Sequence, residues 1–162
     1  MKSYLSFLIL LLYTIAYSYS QDPFFINYTI DDGLPSNEVY DVEIDNDGLL
    51  WFTTDRGIST YDSYEFKNYT TYDGLGDNVN FEIFKDSEGV LWFFGYNGKV
   101  TLYEDGKFKL YNYNKELIEL MKSVHGNFIK EVQQGKNNNL IASFNSQHKA
   151  IVAFPIIGQV LS

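Results

Sequence analysis

The chain has 162 residues, 45% apolar and 20% charged, a balance that supports a packed core and excludes global disorder. Its 21 acidic against 12 basic residues give a net charge of −9, which argues against nucleic acid or an anionic membrane surface as a partner. There is no cysteine, so the fold has no disulfide and offers no thiolate to a metal or a substrate.

The N-terminus reads as an export signal over residues 1–20. Lys2 supplies the positive start, the stretch from Tyr4 to Tyr17 is apolar apart from Ser6 and Thr14, and Ser18 and Ser20 are small residues at alternate positions. The apolar core is too short for an ordinary membrane span, and no later segment approaches that length. Residues 21–162 are therefore expected outside the cytoplasm, in the periplasm or the extracellular space. Next, Phe24-Phe25-Ile26-Asn27-Tyr28 is similar to Phe66-Lys67-Asn68-Tyr69 further on, and a latch-like strand is expected over 22–30.

From Tyr28 onward the chain repeats itself. Tyr28-Thr29 aligns with Tyr69-Thr70, Asp32-Gly33-Leu34 with Asp73-Gly74-Leu75, and Asn37 with Asn78, all at an offset of 41 residues. Asp45, Gly48, Trp51 and Gly57 fall in the same frame on Asp86, Gly89, Trp92 and Gly98. After Gly98 one extra residue shifts the frame, so that Tyr61 meets Tyr103 and Phe66 meets Phe108. Matches this numerous in one frame mark a tandem repeat.

Each copy divides into four short runs separated by turn residues. The first has Glu38 to Ile44, Leu49 to Thr53, Ile58 to Tyr61 and Glu65 to Tyr69; the second has Val79 to Lys85, Val90 to Phe94, Lys99 to Tyr103 and Lys107 to Tyr111. With 14 Tyr, 13 Phe and 2 Trp, the composition suits half-buried pleated strands. Four strands in about 40 residues is the size of one propeller blade. The predicted fold is therefore all-β, a partial β-propeller, with blade 1 at 31–69 and blade 2 at 70–111. Gly48 and Gly89 are expected at positive φ in a hairpin, and Gly57 and Gly98 in a second turn. Trp51 and Trp92 are expected to fill the space between adjacent blades. Asp32 and Asn37 are expected to bond nearby backbone in the connection between blades.

A degenerate third blade occupies 112–162. Leu117, Leu120, Met121 and Val124 have helical spacing, which predicts a short helix or loop insertion over 115–124. Strand-like runs resume at Phe128 to Val132, Leu140 to Phe144 and Lys149 to Phe154, with a turn at Asn137-Asn138-Asn139 and Ile141 in the tryptophan's place.

These motifs resemble the two-component regulator propeller repeat of bacterial periplasmic sensor regions. The resemblance rests on Asp32-Gly33-Leu34-Pro35-Ser36-Asn37, Asp45-Asn46-Asp47-Gly48-Leu49-Leu50-Trp51-Phe52, and Gly57 with Tyr61-Asp62. The second copy carries Asp73-Gly74-Leu75, Asn78, Asp86-Ser87-Glu88-Gly89-Val90-Leu91-Trp92-Phe93 and Gly98. It covers residues 28–111 well and 112–154 poorly. It implies a sensor module of a two-component signalling protein, binding a ligand such as an oligosaccharide at an end face. Family members carry many blades and a downstream output domain. The expectation is thus an N-terminal piece of a longer protein or a truncated product, whose ring needs missing blades or a partner chain to close.

Chemistry sought in the residues yields no catalytic, cofactor-binding or metal-binding set. Asp45-Asn46-Asp47-Gly48 is similar to the start of a calcium loop, but its twelfth position is Arg56 where a Glu is needed, so a hairpin turn is expected. His125 and His148 lack a metal-ligand spacing, and Asp31-Asp32 reads as part of a turn rather than an acid–base pair. Asn27-Tyr28-Thr29 and Asn68-Tyr69-Thr70 fit the glycosylation triplet, which also arises by chance. The alternatives to a sensor are an exported, lyase-like propeller enzyme and an inactive truncated remnant.

Overall fold

The computed structural model describes residues 25–123, 128–135, 139–144 and 151–155. The export signal, His125, His148 and Asn137-Asn138 lie outside the described residues.

Three antiparallel sheets follow one another along the chain. The first is a meander of β1 (Val39–Ile44), β2 (Leu50–Thr54), β3 (Gly57–Tyr61) and β4 (Phe66–Tyr69). The second repeats it as β5 (Asn80–Lys85), β6 (Leu91–Gly95), β7 (Val100–Glu104) and β8 (Lys107–Leu110). A helix, α1 (Asn114–Ser123), precedes the third sheet, whose described strands are β9 (Ile129–Gln134), β10 (Asn139–Phe144) and β11 (Ile151–Pro155). The fold is all-β with one short helix, as expected. Among the described residues no helix is long and apolar enough to cross a membrane.

The sheets stack face to face, and their first strands run side by side: β1 lies against β5, and β5 against β9. Two layers of core result. Trp51, Ile58, Leu75, Ile83, Leu91 and Phe93 are buried between blades 1 and 2. Trp92, Phe94, Val100, Leu102 and Tyr111 are buried with Leu140 and Ala142 of the third sheet and Leu117 and Met121 of α1. Fully burying a large apolar side chain contributes about 1.5–3 kcal/mol, so these layers hold the stack together. The helix covers Trp92 with its Leu117/Met121 stripe, and Asn114 anchors its start by bonding both main-chain groups of Val100, at 2.7 and 2.9 Å.

The blade connections repeat as closely as the sheets. Ile30–Asp32 and Thr71–Asp73 each form one 3-10 turn, with Thr29 and Thr70 as caps. Asp32 Oδ2 accepts from the Thr29 N–H at 2.7 Å, and Asp73 Oδ2 from the Thr70 N–H at 2.8 Å. These reciprocal bonds satisfy donors that the turn leaves open.

The latch-like strand expected over 22–30 is not a strand in its described part. Residues 25–29 pair with no other strand, and Ile30 already begins the 3-10 turn. Extended backbone becomes a strand only beside a ladder partner, and these residues lack one among the described sheets. Gly57 also departs from expectation. It is the first residue of β3, paired with Thr54, whereas Gly98 lies in the β6–β7 turn. Ile58 pairs with Thr53 as Val100 pairs with Phe94, so the counterpart of Gly57 is Lys99 and the extra residue sits inside that turn. Asn139, expected in a turn, opens β10.

Candidate functional site

The repeated residues are found at structural positions. Asp45 Oδ1 accepts from the Asp47 and Leu49 N–H groups, both at 2.9 Å, and its Oδ2 accepts from Trp51 Nε1 at 2.9 Å. Asp86 does the same for Glu88, Val90 and Trp92, at 2.9, 3.0 and 2.9 Å. Each carboxylate thus closes a hairpin and satisfies a buried indole at once. Asn37 Oδ1 accepts from the Ile30 N–H at 3.0 Å, and Asn78 Oδ1 from the Thr71 N–H at 2.8 Å. Leu34 and Leu75 are buried below the turns that Gly33 and Gly74 close. Gly48 and Gly89 sit in the hairpins at φ +85° and +88°. Asn68 of the second glycosylation triplet is engaged at both ends, by the Ser59 hydroxyl and the Gly33 carbonyl.

The first strands of the blades carry a row of carboxylates that clasp one blade to the next. Asp41 Oδ2 on β1 accepts from the Ile83 N–H on β5 at 3.0 Å. Glu82, one repeat after Asp41, likewise bonds the Val132 N–H on β9. Burial and the nearby Asp41 charge push the Glu82 carboxyl up to about 7, although the Val132 bond opposes the shift. Glu131 occupies the next position in the row and adds to the rise. Sequence reading did not single out these residues; the offset from Asp41 to Glu82 was the available signal.

At the end of the stack where the first strands begin, four aromatic rings from successive blades meet. Tyr40 lies 4.7 Å from Phe81, ring centre to ring centre. Phe81 lies 5.8 Å from Tyr96 and 4.5 Å from Phe128, and Tyr96 lies 6.1 Å from Phe128. Tyr40 is the second residue of β1 and Phe81 the second of β5, Phe128 directly precedes β9, and Tyr96 projects from the β6–β7 turn. Tyr40 and Tyr96 are exposed. The Tyr40 hydroxyl donates to Glu38 at 3.2 Å, and its pKa is raised, first by burial and then by that bond.

Polar groups lie at the same end. Among the described residues, three buried side-chain oxygens lack a partner: Thr53 Oγ1, Asp55 Oδ1 and Asn80 Oδ1. Thr53 is near the end of β2, Asp55 is in the β2–β3 turn beside Tyr40, and Asn80 starts β5. A buried oxygen without a donor costs about 1–3 kcal/mol. The three oxygens are sealed from solvent, so what a ligand meets at this end is the exposed rings of Tyr40 and Tyr96, flat faces on which an amphipathic ligand can stack.

The opposite end holds an acidic cleft of about 380 Å³ between the hairpins of blades 1 and 2, with Asp47, Glu88, Glu104 and Asp105 around it. Asp45, on its wall, is already committed to its hairpin and to Trp51. Asp32, the second residue of the Asp31-Asp32 pair, is held in its cap.

Residues 33–56 match the two component regulator propeller family. No curated protein matches the chain in sequence. Among solved structures, the chain is similar to the extracellular domain of BT3049 from B. thetaiotaomicron, described as a hybrid two component system. The TM-score is 0.63 and the identity 17% over 84% of this chain and 19% of that one. Two structures of the extracellular domain of BT4673 from the same organism, described in one as a one component and in the other as a hybrid two component system, give TM-scores of 0.57. Their identities are 19% and 16%, over 79% and 86% of this chain and 17% and 18% of those. The chain spans under a fifth of each of these domains. It shares their blade fold.

Proposed function

We propose that the chain is an extracytoplasmic, non-catalytic sensing module of a two-component signalling protein, with residues 1–20 as export signal and 21–162 as propeller. The regulator propeller repeat in blade 1 and the shared fold with extracellular domains of such systems support this reading. The observation that carries the sensing function is the ring cluster of Tyr40, Phe81, Tyr96 and Phe128, drawn from successive blades and exposed at Tyr40 and Tyr96. An oligosaccharide is the ligand class proposed. A sugar ring has an apolar C–H face that stacks on Tyr or Phe, and hydroxyls at its rim that bond polar groups at the surface around them. Because the cluster draws on three successive blades, a ligand there touches groups on more than one sheet. It can shift an equilibrium between blade arrangements by its differential affinity for them.

The test is a calorimetric titration of the purified chain with an oligosaccharide panel, with product formation followed in the same samples. The expected result is saturable binding of one class of oligosaccharide, lost in Tyr96→Ala, with the ligand recovered intact. Tyr96 is exposed, so its removal spares the core. Absence of binding across the panel, or binding indifferent to Tyr96→Ala, overturns the proposal. Turnover replaces it with the enzyme reading.

A further inference from the structure

Tyr96 is 55% exposed, the most open ring of the end-face cluster, yet the turn that carries it is fastened on both sides. The Tyr96 N–H donates to the Val79 carbonyl at 2.8 Å, and the Asn97 N–H donates to Asp77 Oδ2 at 2.8 Å. Asn97 Nδ2 donates to the Gly76 carbonyl at 3.0 Å. These bonds tie the β6–β7 turn to the connection that enters blade 2. On the other side Gly98 packs against α1, where a Cβ would lie 3.0 Å from Sδ of the buried Met121.

Comparison of the two copies shows that blade 2 is built for this fastening. In blade 1 the β2–β3 turn closes on itself: Thr54 Oγ1 donates to the Gly57 carbonyl at 2.8 Å and accepts from the Arg56 N–H at 3.0 Å. Blade 2 has Asp77 where blade 1 has Ser36, Gly95 where it has Thr54, and a turn longer by one residue. Ser36 Oγ holds the Glu38 N–H at 3.0 Å. Asp77 Oδ1 makes the same bond to the Val79 N–H at 3.3 Å, and its second oxygen is left for Asn97. Gly95 makes room for this, since a Cβ there would lie 2.8 Å from Asp77 Cβ. From the longer turn Tyr96 meets Phe81 edge-on at 5.8 Å and Phe128 at 6.1 Å.

We propose that Asp77 is a positioning residue of the ring face, which fixes the Tyr96 main chain before a ligand arrives. This rests on the oligosaccharide reading of that face. Asp77 acts through Tyr96 and not by contact with the sugar. A tyrosine side chain has few torsions, so a fixed main chain supplies most of the order that stacking requires. Order present beforehand does not have to be created on binding, and affinity rises accordingly.

The test gives blade 2 the residue that blade 1 uses. Asp77→Ser retains a cap for the Val79 N–H, as Ser36 does for Glu38, and removes the bond to Asn97. Asp77→Asn keeps an oxygen for Asn97 and is the rescue variant. The readout is the fluorine resonance of 3-fluorotyrosine placed at position 96 of the full chain. In the parent it is expected to be displaced from that of free 3-fluorotyrosine by the rings of Phe81 and Phe128. Asp77→Ser is expected to move it most of the way to the free value, and Asp77→Asn to restore it. Unmoved indole resonances of Trp51 and Trp92 mark an intact stack in each variant.

Titration with cello-, xylo-, malto- and laminari-oligosaccharides reads the consequence for binding. The sugar that binds the parent is expected to bind Asp77→Ser about five- to tenfold more weakly and Asp77→Asn nearly as well. A fluorine resonance unmoved by Asp77→Ser, or undiminished affinity beside a moved one, overturns the proposal. Absence of binding of every sugar to the parent counts against the sensing reading alone, and the fluorine resonance still decides whether Asp77 sets Tyr96.

Discussion

Trp51 donates its indole N–H to Asp45 across a spacing of six residues at 2.9 Å, and Trp92 makes the same bond to Asp86 at the same length. Both indoles are fully buried, so the bond satisfies a donor that water cannot reach. The second oxygen of each aspartate holds two N–H groups of the preceding hairpin. Turn geometry and blade packing are thereby coupled through one side chain.

Replacing Asp45 by alanine is expected to cost about 2–4 kcal/mol, because it strands the Trp51 N–H and releases the hairpin together. Asp45→Asn, which can still accept on one side, is expected to cost less. Urea denaturation of the two variants against the parent chain measures the difference. A loss below about 0.5 kcal/mol for Asp45→Ala means that the clip is not holding the blade.

The third sheet has lost both halves of this pair together. Gly135 stands at the aspartate position and Ile141 at the tryptophan position, and a Cβ on Gly135 would lie 2.9 Å from Ile141 Cδ1. Ile141 Cδ1 ends a flexible, part-exposed side chain that can turn aside, so Gly135→Ala alone is expected to cost about 1 kcal/mol or less. Gly135→Asp with Ile141→Trp is expected to be less destabilising than the sum of the single changes. A double-mutant cycle reads this as a favourable coupling of about 1 kcal/mol. Additive effects show that the two positions are not energetically coupled.

Gly57 and Gly48 separate two costs of adding a methyl group. Both have positive φ, at +132° and +85°. A Cβ at Gly57 would sit 2.3 Å from the Tyr69 carbonyl oxygen, whereas one at Gly48 meets nothing within 4 Å. Gly48→Ala is expected to cost about 1 kcal/mol of backbone strain, and Gly57→Ala at least about 3 kcal/mol, since β3 and β4 must separate. Thermal melts of the two variants give the order directly.

Glu82 makes stability depend on pH in a defined direction. Its folded pKa, about 7, lies above the ordinary 4.5, so the folded chain holds a proton that the unfolded chain releases in that window. The stability this contributes is fully present below about pH 4.5 and is lost as pH rises through about 7. Glu82→Gln keeps the acceptor for Val132 without the charge. The variant is expected to match the parent near pH 4.5 and to exceed it by about 1 kcal/mol at pH 8, a figure discounted because the side chain is only partly buried. Asp41 and Glu131 face the same group, so the difference between parent and variant is the quantity to follow. A constant difference across pH 4.5–8 contradicts the assignment.

The strands were legible because turn residues punctuate each copy. Asp45 to Gly48 and Asp86 to Gly89 delimit hairpins, and the runs between them became β1–β8 with ends displaced by at most one residue. The 114–123 helix was legible from the spacing of Leu117 and Met121, both of which are buried. The frame at Gly57 was misread because two glycines coincided in an ungapped alignment, while strand pairing places the extra residue within the β6–β7 turn. The aromatic end face was hidden for another reason. Tyr40, Phe81 and Phe128 look like ordinary strand residues, and Tyr96 an ordinary turn residue, until stacking brings three blades to one edge. The carboxylate row was hidden likewise, because Asp41 and Glu82 act across blades rather than within one.

The account rests on Trp51 and Trp92 occupying equivalent sealed positions between successive blades. With only 2 tryptophans in the chain, hydrogen exchange followed at the indole N–H resonances addresses each one. Two slowly exchanging indole signals are predicted, Asp45→Asn moving that of Trp51 and Asp86→Asn that of Trp92. An indole that exchanges at the rate of free tryptophan, or ignores its aspartate, contradicts the stacked-blade structure.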